Sequence, residues 1–198
     1  MKKHLLALFS ALFLLSACDL LDPDEHVVEL PRTLKYMGET IEFVQVGDQL
    51  WMKENLNVGS GEERCMVGLS RYCEKFGRLF FWEEALNACP AGSHLPSYEE
   101  WKKLTDFLYL NEKYVKYFTN QLGGYLDVDY WGNHISADIG NSVYFWSSTE
   151  IDLNDDDDKP ALYGGTFQYS TQNGYKLSQI RKDVGLYIRC VMNEKPSN

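Results

Sequence analysis

The spacing of apolar side chains changes several times along this chain, and each change predicts an element. After Lys2 and Lys3 comes an apolar run from Leu5 to Leu15 that stops at small residues before Cys18. A membrane-spanning helix needs roughly 20 apolar residues, and this run is shorter and broken by Ser10, so residues 1–17 read as a signal peptide. From Asp19 to Pro31 acids and prolines replace any apolar period, which predicts a flexible tether over about residues 18–32. Ile41 and Phe43 then alternate with polar neighbours, and Gly47-Asp48 turns the chain into Leu50-Trp51-Met52, a hairpin pattern. Trp82, Ala85, Leu86 and Cys89 fall at i, i+3, i+4 and i+7, one face of a short helix stopped by Pro90 and Gly92. Ser97 and Glu100 have capping-box spacing, and Trp101, Leu104 and Leu108 continue as an apolar stripe, predicting a second helix. Beyond Asn111 glycines and Asx residues break the chain into long loops. Strand patterns return at Val143 to Ser147, Leu162 to Tyr169 and Leu186 to Met192, where Leu186, Ile188, Cys190 and Met192 share a face. Helices early and strands late predict an α+β fold, and the roughly 165 residues from 33 to 198 suit one domain with a single core.

The sequence Leu15-Ser16-Ala17-Cys18 resembles the bacterial lipobox, in which the thiol is diacylated and the peptide is cut just ahead of it. That resemblance implies lipidation of Cys18 and a membrane partner reached through acyl chains, two or more of which hold firmly. Removing residues 1–17 takes away Lys2 and Lys3 and no acid, so the formal charge moves from -10 to -12. An acidic surface repels phosphate, which argues against nucleic acid as a partner and leaves the lipid as the membrane contact. Asp19 after the anchor is a retention signal for the inner membrane in some bacteria and accompanies surface export in others.

With Cys18 assigned to lipid, Cys65, Cys73, Cys89 and Cys190 remain for an oxidising compartment. Of the three pairings four cysteines allow, the favoured one joins Cys65 to Cys73 and Cys89 to Cys190. Zinc is the competing use, but there is no C-x-x-C pair and the histidines are scattered.

Several motifs in order carry a family resemblance: W-M-K-E-N-L-N at Trp51 to Asn57, Y-C-E-K-F-G-R-L-F at Tyr72 to Phe80, and A-C-P-A-G-S-H-L-P at Ala88 to Pro96. E-W at Glu100-Trp101, G-G-Y at Gly123 to Tyr125, F-W-S-S-T-E at Phe145 to Glu150 and I-R-C-V at Ile188 to Val191 follow. Together they resemble the Fibrobacter succinogenes major paralogous domain, a family of envelope proteins, over about residues 40–192. That family is similar to the C-type lectin-like and sulfatase-modifying-factor folds. The resemblance therefore implies a C-type lectin-like domain with two helices, mostly antiparallel strands and long loops, a Cys89–Cys190 bridge, and a cell-envelope address at the outer membrane or surface. Ser93 departs from the family pattern, which has tryptophan after the glycine, and the segment between the second helix and Gly123 is shorter than in many members.

Catalytic chemistry is not legible. The chain lacks G-x-S-x-G, H-E-x-x-H and a phosphate-binding glycine loop. Leu95-Pro96-Ser97 with Glu100-Trp101 is similar to formylglycine-generating enzymes, but those need a reactive cysteine pair near the C-terminus, where only Cys190 lies. The expectation is a non-enzymatic protein without a cofactor. Asp155, Asp156 and Asp157 are hard oxygen donors of the kind Ca²⁺ prefers, yet an EF-hand loop begun at Asp152 lacks its glycine and its closing glutamate, so the run reads as a solvated connection. Neither E-P-N nor W-N-D, the triplets of calcium-dependent lectins, occurs. Trp51, Trp82, Trp101 and Trp146 sit in helix or strand periods and are core candidates. Tyr130, Trp131 and His134 lie in a Gly-Asn loop and are the candidate ligand contacts, suited to stacking on a sugar. His94 reads as a structural hydrogen-bonding residue, and Arg189 as the partner of a carboxylate. Polysaccharide is the expected ligand and another envelope protein the alternative partner, with an oxidoreductase of formylglycine-generating type as a third reading.

Overall fold

The structure is a computed structural model that describes residues 32–129, 133–153 and 162–193. Residues 1–31, which hold the expected signal peptide, Cys18 and the expected tether, lie outside the described residues. Strands β1 (Arg32–Tyr36), β2 (Glu39–Val46) and β3 (Gln49–Met52) open the described chain. Met37 and Gly38 both take positive φ, at 50° and 89°, so β1 and β2 meet through a tight turn whose twist suits a hairpin. Gly47, at φ 66°, makes the expected turn between β2 and β3, and Phe43 pairs with Met52 across it.

Helices α1 (Ser70–Phe76), α2 (Trp82–Ala85), α3 (Tyr98–Leu110) and α4 (Lys116–Thr119) follow, then β4 (Tyr125–Val128), β5 (His134–Ala137), β6 (Ser142–Ile151), β7 (Tyr163–Ser170), β8 (Gly174–Arg181) and β9 (Val191–Asn193). Among the described residues these form a four-stranded sheet ordered β1-β2-β3-β9, a β4-β5 hairpin and a β6-β7-β8 meander, with antiparallel pairing within each. The fold is α+β.

The capping box starts α3 as its spacing predicts. Ser97 Oγ accepts from the Glu100 amide at 3.2 Å while Glu100 Oε2 accepts from the Ser97 amide at 2.8 Å, which satisfies two donors that a helix start leaves without partners. Trp101, Leu104 and Leu108 are buried on one face of α3. The helix read from Trp82 to Cys89 is shorter than expected. It ends at Ala85, so Leu86 turns outward and is 37% exposed while Trp82 and Ala85 stay buried. Helix α1 left no readable period, because only Cys73 and Phe76 of its seven residues are buried. It is held instead by Cys65–Cys73, whose Cα atoms are 4.9 Å apart.

The final segment is where the core divides. Leu186, Ile188, Cys190 and Met192 face one apolar cluster with Phe43, Trp82 and Trp146, as their alternation predicts. The intervening Tyr187 and Val191 are equally buried, in a second cluster around Trp51, Trp101 and Phe167. The segment therefore runs between two cores with both faces covered. It pairs in β9 with β3, and elsewhere through single bridges from Leu186 to Phe80, Gly185 to Leu126 and Tyr187 to Phe145. That division among partners is why a continuous strand from Leu186 to Met192 is not observed. Cys89–Cys190, with Cα atoms 5.7 Å apart, ties this final segment to the chain beyond α2.

The four expected core tryptophans are all at most 5% exposed. A buried indole N–H needs an acceptor. Trp82 Nε1 donates to Ser147 O at 2.9 Å, Trp101 Nε1 to Trp146 O at 3.1 Å and Trp146 Nε1 to Phe80 O at 2.7 Å. Trp101 stacks on Phe167 with ring centres 4.6 Å apart. Among the described residues no helix is long and apolar enough to cross a membrane.

Candidate functional site

Three of the recurring motifs converge on Arg189. Its side chain is fully buried, and no carboxylate among the described residues forms an ion pair with it. Neutral acceptors take its hydrogen bonds, and the Glu54 carboxylate favours the charge only through space. Nε donates to Asn55 Oδ1 at 2.6 Å, Nη1 to Met52 O at 2.8 Å and Nη2 to Gln121 Oε1 at 3.1 Å. The guanidinium also lies 5.7 Å from the Phe118 ring centre and 5.6 Å from that of Phe145. Burial pushes its pKa down to about 9, so the group remains charged at neutral pH. The alternation rule that placed Arg189 opposite the apolar face assumed solvent there, and the second core occupies that side.

Asn55 and Gln121 are the residues that pattern reading missed. Asn55 Nδ2 donates to Phe76 O at 2.7 Å, and the Asn55 amide donates to Gln121 Oε1 at 3.0 Å. Two motif glycines serve this packing. Gly77 sits at φ 82°, and a Cβ there would come within 2.7 Å of Asn55 Cβ. A Cβ on Gly123 would overlap the Tyr187 hydroxyl. Nothing local singles out Asn55, which stands among Lys53, Glu54 and Asn57, and only the folded chain shows that Met52, Phe76 and Gln121 meet there.

His94 has a structural place. Its backbone exchanges hydrogen bonds with Val191 at 2.9 Å each way, and its Nε2 lies 2.8 Å from Glu100 Oε1. Gln49 Nε2 donates to the same carboxylate oxygen at 2.8 Å. Burial alone would raise the Glu100 pKa, but hydrogen bonds from Ser97, His94 and Gln49 outweigh it and hold the carboxyl below its ordinary range.

Around the exposed side of W-M-K-E-N-L-N lies a cleft of about 320 Å³ between β2 and the chain that leaves β3. Glu39, Thr40, Glu42, Lys53, Glu54 and Asn57 supply its polar lining. Lys53 spans part of it to Glu42 at 2.9 Å, and that hydrogen bond raises the lysine pKa. At Val58 this cleft adjoins a second, of about 220 Å³, which reaches Arg64, Arg78 and Glu84. Elsewhere Val67, Ile135 and Ile139 border a shallow groove of about 540 Å³ and are 52%, 49% and 36% exposed.

The motif segment that builds the first cleft also carries the family signature, since residues 44–123 match the Fibrobacter succinogenes major domain. Residues 44–123 belong to that domain family. No curated protein and no solved structure matches the chain. The Fibrobacter succinogenes major domain as matched contains Met52, Asn55 and Gln121, the acceptors of the network, whereas Arg189 and Cys190 lie beyond the match.

Both disulfides join the favoured pairs, Cys65 with Cys73 and Cys89 with Cys190. Tyr130 and Trp131 lie outside the described residues, as do Asp155, Asp156 and Asp157. The His134 backbone pairs with Val128 in the β4-β5 hairpin, while its side chain is outside what is described. Among the described residues no three His, Cys, Asp or Glu side chains group as metal ligands.

Proposed function

We propose that this chain is a cell-envelope lipoprotein, anchored through acylated Cys18 at the outer membrane or cell surface, whose domain is a non-catalytic binding module for polysaccharide with a C-type lectin-like architecture. The observation that carries the reading is the cleft beside W-M-K-E-N-L-N. Its carboxylates, amide, hydroxyl and ammonium groups offer both acceptors and donors at solvent-reachable positions, the complement of a sugar's hydroxyls. The residues beneath it are locked by the Arg189 network, so the cleft floor is preorganised. Cys190 is bridged to Cys89, which leaves it no free thiol for chemistry of the formylglycine-generating type.

The test is retention of the purified protein on an array of cell-wall and plant polysaccharides, with Glu54→Gln and Asn57→Ala as cleft variants. Binding by the parent and at least tenfold weaker binding by the variants is expected. Retention on no glycan refutes the reading.

One observation favours a second reading, an assembly component that binds other envelope proteins. Val67, Ile135 and Ile139 are exposed together, and Val67 holds φ 58°, a costly backbone for a β-branched residue. Crosslinking in intact cells separates the two, since protein adducts at Ile135 favour assembly and sugar-protected residues around Glu54 favour glycan binding.

A further inference from the structure

Beyond Val58 the second cleft changes character. Arg64 and Arg78 face it from the loop after Val58 and from the chain before Phe80, which run side by side through the hydrogen bond from the Leu79 amide to Arg64 O at 2.9 Å. Each guanidinium is partly fastened. Arg64 Nη2 pairs with Glu84 Oε1 at 2.5 Å and its plane lies over the Phe81 ring, 4.2 Å from the centre. Arg78 Nη1 donates to Gly61 O at 2.5 Å, and no carboxylate among the described residues forms an ion pair with Arg78. What remains is unusual. Arg64 Nη1 and Arg78 Nε, on two side chains that line this cleft, are shielded from solvent and have no acceptor among the described residues. Buried donors are nearly always satisfied, so two in one cleft point to a partner that is not part of the chain.

The charge balance narrows what that partner is. Glu84 answers Arg64, which leaves one guanidinium charge uncompensated in a chain that is otherwise strongly acidic. Glu63 also lines the cleft, but its carboxylate folds over Gly61 and forms no ion pair with either arginine. A single negative charge with two coplanar oxygens matches the fork of N–H groups that arginine presents. A doubly charged phosphate would meet added repulsion from Glu63 and from Glu54 in the adjoining cleft. About 220 Å³ admits one sugar ring, and the continuity with the first cleft at Val58 places that ring beside hydroxyl-binding groups.

We infer that the cleft between Arg64 and Arg78 takes the carboxylate of an acidic sugar, so that the polysaccharide bound by this domain carries uronic acid units. The inference rests on the glycan-binding reading. Oxygen acceptors between the two side chains would take the hydrogen bonds of Arg64 Nη1 and Arg78 Nε after a small outward swing of either arginine. Ser60, exposed at the rim, offers a hydroxyl to the ring.

The experiment titrates the full chain in detergent with galacturonate and, separately, with galactose, which differs at the carboxylate, and follows arginine Nε–Hε resonances by NMR. Galacturonate should shift the Arg78 and Arg64 signals and bind about tenfold or more tightly than galactose. Arg78→Gln and Arg78→Lys should both abolish that preference, because lysine keeps the charge and loses the fork, while Glu63→Gln should strengthen binding. Thermal unfolding of each variant establishes that it is folded. Equal affinity for the two sugars, or a preference that survives Arg78→Gln, overturns the inference while polysaccharide retention on the array stands. Arginine signals that move with neither sugar also overturn it, and the array then decides the glycan reading by itself.

Discussion

Replacing Arg189 with methionine tests the central claim about the fold, that a buried charge is held by uncharged acceptors. Methionine has nearly the same reach and no polar head, so the change removes hydrogen bonds more than volume. Lost are the bonds to Asn55 Oδ1, Met52 O and Gln121 Oε1. Bonds to a charged donor contribute about 1.5 to 3 kcal/mol each, so the three together are worth roughly 5 to 9 kcal/mol. Against this stands the cost of burying the guanidinium. Burial lowers its pKa, and taking an ion of this kind out of water costs several kcal/mol, on the order of 5. The difference alone spans about 0 to 4 kcal/mol. The variant additionally leaves Asn55 Oδ1 buried without its donor, at about 1 to 3 kcal/mol, whereas Gln121 Oε1 keeps the Asn55 amide. The expected loss is about 3 kcal/mol, read by urea unfolding with tryptophan fluorescence while the disulfides are intact. Arg189→Lys should lose nearly as much, because a single ammonium does not reach three acceptors arranged for a planar fork. In a double-mutant cycle Asn55→Leu and Arg189→Met should couple by at least about 1 kcal/mol. A methionine variant within about 0.5 kcal/mol of the parent, or strict additivity in the cycle, refutes the reasoning.

Other expectations follow from the same packing. Removing the Cys89–Cys190 bridge as a double alanine variant should cost about 4 to 5 kcal/mol, against about 2 to 3 for Cys65–Cys73, because the loops closed span 101 and 8 residues; the ratio is read from urea midpoints. Gly123→Ala should destabilise by about 2 kcal/mol or more through overlap with the Tyr187 hydroxyl, and Tyr187→Phe in the same chain should recover part of it. Ser97→Ala should cost about 1 kcal/mol in thermal unfolding through loss of the α3 cap. Glu100 has a carboxyl pKa lowered on folding, so its contribution to stability is complete above 4.5, its ordinary value, and is lost as pH falls through the lower folded value. Glu100→Gln should accordingly flatten the acid limb of the stability curve and leave the alkaline limb unchanged.

Much of this arrangement was legible beforehand where the signal is local. The β2-β3 hairpin needed only alternation and a Gly-Asp turn, and α3 needed only its cap and a stripe repeated over three turns. Elements too short or too half-exposed to complete a period stayed hidden, as with α1, α4 and β8, in which buried and solvent-facing positions are not cleanly separated. The clefts were not legible at all. Their walls come from segments apart in sequence, as Arg64 and Glu84 show, and neither residue stands in a pattern that marks it. Arg189 is the instructive error. Alternation correctly placed it opposite Leu186, Ile188 and Cys190, but alternation reports which residues share a side and not what lies on the other.

By themselves, then, the residues determined the α+β class, the hairpin, the capped helix, the four core tryptophans and the even set of domain cysteines, because each depends on neighbours a few positions away or on bulk polarity. Tertiary structure decided that two cores flank the last segment, that Arg189 is held by Asn55, Met52 and Gln121, and that two arginines share a cleft with donors to spare. Those outcomes depend on which distant surfaces meet, a choice made by the joint burial of many side chains and not by the period of any one stretch.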